Sequence, residues 1–109
     1  MIVGTGIDIA EPGRIRQTIE RYGERFLQRG FTSAEIAYCE RKRNKGERYA
    51  ARFAAKEATF KALGTGWSAG VRWRDAEVVN LPTGKPTLRL HGKAKTIAER
   101  LGVRNISLS

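Results

Sequence analysis

The stretch Arg52-Phe53-Ala54-Ala55-Lys56-Glu57-Ala58-Thr59-Phe60-Lys61-Ala62-Leu63-Gly64-Thr65-Gly66 decides the reading of this chain. It lies in a run of strong helix formers without internal Gly or Pro, which predicts a helix over residues 47–63, closed by Gly64. At about 100° per residue, Ala50, Phe53 and Phe60 share one side, and Glu57 falls between Phe53 and Ala50. A carboxylate is thus expected on the core face. Removing an ionised carboxylate from water is costly unless it is paired, hydrogen-bonded or bound to a metal. Two partners suit it. Lys61, one turn on, can pair with Glu57 in the favourable acid-before-base order, worth about 0.2–0.5 kcal/mol. Alternatively, Glu57 holds a divalent cation and Lys61 a phosphate, which requires a second oxygen ligand and a Gly-rich wall near the helix end.

At 109 residues the chain is expected to be one domain, with a modest core that leaves apolar surface for an oligomer to cover. No apolar run is long enough to span a bilayer, and Met1-Ile2-Val3-Gly4-Thr5 lacks a signal-peptide layout, so a cytoplasmic protein is expected. One cysteine, Cys39, and one histidine, His91, exclude a disulfide framework and a Cys/His zinc cluster. A metal would therefore be held by oxygen ligands, as suits Mg²⁺ or Mn²⁺. Lys and Arg number 21 against 11 acidic residues, and the net charge of +10 favours polyanionic partners without choosing among them.

Residues 2–10 read as a strand in which Asp8 shares a face with Gly4 and Gly6, where another backbone or a ligand can come close. Asp8 either caps the following turn or supplies the second carboxylate. A helix starts at Glu11-Pro12, with Ile15, Ile19, Tyr22 and Phe26 as its buried stripe if Gly23 permits continuation. Beside that stripe, Arg14, Thr18, Arg21 and Arg25 form a basic face that either is merely solvated or docks an acidic partner helix. Thr32-Ser33-Ala34-Glu35 fits a capping box for a helix over 34–41 that buries Ile36 and Cys39. Residues 67–74 suggest a loop or bulged strand; 76–81 and 87–90 suggest a hairpin around Pro82-Thr83-Gly84-Lys85-Pro86. Gly92 opens a helix with Ala94, Ile97, Ala98 and Leu101 apolar and Gly102 at its end, and 105–109 reads as a strand; His91 is expected at the surface. The class is α+β.

Two segments stand together: Gly4-Thr5-Gly6-Ile7-Asp8-Ile9, and Arg52 through Glu57 to Lys61 and Gly64-Thr65-Gly66. Their order and separation resemble the holo-acyl-carrier-protein synthase family of phosphopantetheinyl transferases. Phe31-Thr32, Glu35-Ile36, Tyr38-Cys39, Gly84-Lys85-Pro86 and Ile106-Ser107-Leu108-Ser109 extend the resemblance over essentially the whole chain. It implies transfer of 4′-phosphopantetheine from coenzyme A to a serine of an apo acyl carrier protein, releasing adenosine 3′,5′-bisphosphate. It also implies a homotrimer with active sites between subunits, no membrane, and the family's small mixed fold of helices and antiparallel sheet. By the same resemblance Asp8 and Glu57 correspond to the Mg²⁺ ligands, and Lys61 to the lysine near the pyrophosphate. The serine proton is then expected to pass either to Glu57 or to a metal-bound water. Arg52, Lys56 and Lys85 become candidates for the coenzyme's remaining phosphates, Gly64, Gly66 and Pro86 for its bed, and Arg14, Arg21 and Arg25 for carrier docking. In the family a histidine and a further strand usually follow the Ser-Leu-Ser stretch, whereas this sequence stops at Ser109, so either it is a truncated piece or this member lacks that strand.

The alternative is a basic nucleic-acid-binding α+β domain without catalysis, which the charge and the two tryptophans, Trp67 and Trp73, allow. It would bind nucleic acid with a steep salt dependence and no need of Asp8.

Overall fold

The backbone turns at Gly23, and that turn sets the entry to the fold. In the computed structural model, which describes residues 12–65 and 70–102, α1 (Pro12–Tyr22) ends there and α2 (Glu24–Gly30) begins. Gly23 has φ +56°, a conformation that favours glycine, and its N–H donates to Ile19 O at 2.7 Å. The single stripe expected through this region is therefore broken. Ile15 is buried and Phe26 packs on the same core, but Tyr22 is left 57% exposed, against expectation.

The capping box forms as expected: Thr32 Oγ1 accepts from Glu35 N at 3.2 Å, and Thr32 N donates to Glu35 Oε1 at 2.8 Å. It starts α3 (Ser33–Glu40), in which Cys39 is buried. The long α4 (Lys45–Ala62) follows, ending in a Schellman motif: Thr65 N donates to Phe60 O at 3.1 Å, Gly64 N to Lys61 O at 3.0 Å, and Gly64 has φ +75°. A 3₁₀ turn, Trp73–Asp75, leads into β1 (Ala76–Asn80), which pairs antiparallel with β2 (Pro86–Leu90) in the register Ala76 to Leu90, Val78 to Leu88 and Asn80 to Pro86. Helix α5 (Gly92–Arg100) closes the described part.

Helices thus cover a small antiparallel sheet. One core cluster holds Ile15, Phe31, Cys39, Tyr49, Ala50 and Phe53; the other holds Phe60, Leu63, Val71, Ala76, Ala94 and Ala98. Trp73 packs against both, with its ring centroid 4.4 Å from that of Phe53 and 5.6 Å from that of Phe60. An aromatic engaged between two cores is a poor base-stacking platform, which removes one support of the nucleic-acid reading. Trp67, Gly66, Asp8 and the terminal strands expected at 2–10 and 105–109 lie outside the described residues.

Candidate active site

The buried arc of α4 comprises Tyr49, Ala50, Arg52, Phe53, Lys56, Thr59 and Phe60. Glu57 lies at its margin, half-buried, and the charge at the middle of the arc is Lys56. Its ammonium donates to Glu35 Oε1 at 2.8 Å, Ala76 O at 2.7 Å and Trp73 O at 3.1 Å, which uses all three N–H groups. Both side chains of the Lys56–Glu35 pair are fully buried. Burial drives the Lys56 pKa down, against the upward pull of Glu35. Lys56 is thus corrected from a phosphate ligand to a core residue, because no donor is left for a ligand.

Arg52, one turn earlier, is different. Its Nη2 donates to Asn80 Oδ1 at 2.6 Å, and its guanidinium lies 4.0 Å from the centre of the Tyr38 ring. Its Nε is buried and, among the described residues, has no acceptor. A buried donor without a partner costs about 1–3 kcal/mol, so such groups commonly serve a ligand. Arg52 lines a cleft of about 580 Å³ between α4 and the hairpin, together with Arg48, Asn80, Gly84 and Pro86. The α4 wall offers Ala51, Ala54, Ala55 and Ala58, whose short side chains leave the space open. Opposite, Asn80 Nδ2 donates to Gly84 O at 3.0 Å, fixing the turn that carries exposed Lys85 and Pro86. A cationic floor with a narrow apolar wall suits a phosphorylated ligand carrying an uncharged group.

The structure therefore brings Arg52 and Pro86 to one cleft, with Lys85 in the same turn. Arg48, which also lines it, went unnoticed in the sequence; its place one turn before Arg52 was the available signal. Lys61 is exposed in the last turn of α4, three residues before Gly64. Arg14 and Arg21 are exposed on α1, whereas the break at Gly23 puts exposed Arg25 on α2. Among the described residues no group of three or more His, Cys, Asp or Glu side chains could hold a metal. Glu57 alone of the two expected ligands is described, and it contributes an oxygen donor of the kind that Mg²⁺ takes. Burial pushes the Cys39 thiol up to about 11, so it is a packed side chain and not a nucleophile.

The family model for the 4′-phosphopantetheinyl transferase superfamily matches residues 4–108. This chain belongs to that superfamily. A holo-[acyl-carrier-protein] synthase of Solibacter usitatus is 68% identical over 109 residues, covering 100% of this chain and 87% of the relative. One of Koribacter versatilis is 58% identical with the same coverage. Among solved structures, the holo-[acyl-carrier-protein] synthase of Neisseria meningitidis superposes with a TM-score of 0.80 at 31% identity, covering 90% of this chain and 78% of that one. The Helicobacter pylori enzyme, in complex with coenzyme A, gives 0.74 at 27% identity, covering 88% and 78%. As a 4′-phosphopantetheinyl transferase the chain is an enzyme of the holo-[acyl-carrier-protein] synthase family, and its mixed fold agrees with those structures.

Proposed function

We propose that this protein transfers 4′-phosphopantetheine from coenzyme A to a serine hydroxyl of an apo acyl carrier protein, leaving adenosine 3′,5′-bisphosphate, with Mg²⁺ as its cation. The observation that carries this reading is Arg52: a buried guanidinium in an open cleft, with one N–H that has no acceptor among the described residues. The relatives named above and the coenzyme A held by the Helicobacter pylori enzyme support the choice of ligand.

In the reaction the serine Oγ forms a bond to the β-phosphorus of coenzyme A, and the bond from that phosphorus to the bridging oxygen breaks. The electron pair leaves with the bisphosphate, so negative charge grows on its oxygens. Lys61 supplies a positive charge beside them, and the serine proton passes to Glu57 or to a water beside it. Asp8 and Glu57 would hold Mg²⁺, which when bound offsets charge on the diphosphate oxygens. Arg52 and Lys85 bind the coenzyme's other phosphate oxygens, and Gly64, Gly66 and Pro86 shape its bed. Arg14, Arg21 and Arg25 receive the acidic face of the carrier, giving orientation and on-rate.

A homotrimer with active sites shared between subunits completes this reading. Exposed Tyr22, Leu81 and Leu101 leave apolar surface for a neighbouring subunit to cover. No helix among the described residues is long and apolar enough to cross a membrane, consistent with action in the cytoplasm.

Calorimetric titration with coenzyme A tests the reading. Wild-type protein binds it, and Arg52→Gln weakens binding by about tenfold or more, the usual cost of losing a hydrogen bond to a charged group. Wild-type protein that takes up no coenzyme A would overturn it.

A further inference from the structure

Glu35 and Lys56 tie together three elements that meet beneath the cleft. Glu35 Oε1 accepts from Lys56 Nζ and from Thr32 N, both at 2.8 Å, and Glu35 Oε2 accepts from Val78 N at 2.7 Å. The remaining two N–H groups of Lys56 hold the carbonyls of Trp73 and Ala76, on either side of the entry to β1. Arg52 stands one turn before Lys56 on α4. Asn80 stands two residues beyond Val78 and so on the same face of β1. The hydrogen bond from Arg52 to Asn80 spans the gap that the buried pair holds.

We infer that Glu35 and Lys56 are positioning residues, fixing α4 against β1 and thereby the width of the cleft that receives coenzyme A. This rests on the assignment of the cleft to coenzyme A. An apolar pair of equal volume would fill the same space, but it offers no directed bond to Val78 N or Ala76 O, so the strand could settle at another distance from the helix. Neither residue touches the ligand; both act through Arg52 and Asn80. A misplacement of about 1 Å in such a site can cost as much as about a hundredfold.

The test is the double variant Glu35→Gln/Lys56→Met, which removes both charges and nearly keeps the volume. Its cooperative unfolding, its coenzyme A dissociation constant, and its KM for the carrier protein are measured. The expected result is a folded protein whose coenzyme A dissociation constant rises by about tenfold while the carrier KM stays within about twofold. If the double variant does not fold, Glu35→Gln alone, which keeps shape, is measured for the same split at smaller size. Coenzyme A binding unchanged in a folded variant, or both constants moving together, would overturn the positioning role. Failure of wild-type protein to bind coenzyme A would instead overturn the assignment of the cleft, and the inference with it.

Discussion

Lys56 Nζ lies 2.8 Å from Glu35 Oε1, with both side chains withdrawn completely from solvent. Removing one partner of such a pair leaves the other as an uncompensated buried charge. Lys56→Ala is therefore expected to destabilise the protein by about 3–5 kcal/mol, read from urea unfolding. Lys61→Ala, at an exposed position on the same helix, is expected to change it by less than about 0.5 kcal/mol. Equal effects would show that the buried pair does not hold α3, α4 and β1 together.

Gly92 has φ +53°, and a Cβ there would lie 3.0 Å from Asp75 Oδ1, whose carboxylate also accepts from Arg72 N. Both strain and crowding then oppose a side chain. Gly92→Ala should cost about 2–3 kcal/mol, whereas Gly102→Ala, with φ +75° and no atom of the described residues within contact of the added Cβ, should cost about 1 kcal/mol. Thermal unfolding of the two variants compares them directly, and the reverse order would contradict the placement of Asp75.

Glu77 governs part of the acid response. Burial raises its pKa, but the hydrogen bonds to His91 Nε2 and Thr32 Oγ1, with the charges of His91 and Arg89, outweigh that and hold it below the ordinary 4.5. A carboxylate lowered on folding binds fewer protons in the native state, so its stabilisation is present above the ordinary value and lost as pH falls through the lowered one. Glu40, lowered chiefly by the Tyr49 hydroxyl and then by Lys45, acts in the same direction. The urea midpoint should fall as pH drops below about 4.5, and Glu77→Gln should flatten that fall. A slope unchanged in the variant would remove Glu77 from the acid response.

Arg14 is exposed on α1, away from the Arg52 cleft lining. Under the proposed function, Arg14→Glu raises KM for the carrier by about tenfold and leaves that for coenzyme A within about twofold, because it reverses one charge at the docking face. Steady-state kinetics with each substrate varied in turn provides the check. Equal changes in both would argue against carrier docking there.

The features legible in the sequence were those whose cause is local. The capping box at Thr32 and Glu35 and the glycine end of α4 follow from short-range hydrogen bonding, and both form. Gly23 was ambiguous because glycine is only mildly costly within a helix, and the adoption of φ +56° is decided by packing of Phe26 and Leu27 on the core. On α4 the apolar positions alone put the centre of the buried face near Phe53, so Glu57 looked central and Lys56 peripheral. The true arc is centred near Tyr49 and Phe60, about 50° away, because Glu35, from another helix, makes a charged residue tolerable inside it. That partner is 21 residues away in sequence, beyond any periodicity on the helix itself. Arg52, by contrast, was singled out from the sequence and stands in the cleft, though its pairing with Asn80 in the hairpin could be seen only in three dimensions.

The most direct measurement is the mass of an apo acyl carrier protein after incubation with this protein, coenzyme A and Mg²⁺. The carrier serine is expected to gain the mass of one phosphopantetheine group, and Asp8→Ala and Glu57→Ala are each expected to abolish the gain while the protein stays folded. An unmodified carrier with folded wild-type enzyme, or full modification by either variant, would contradict the proposed function.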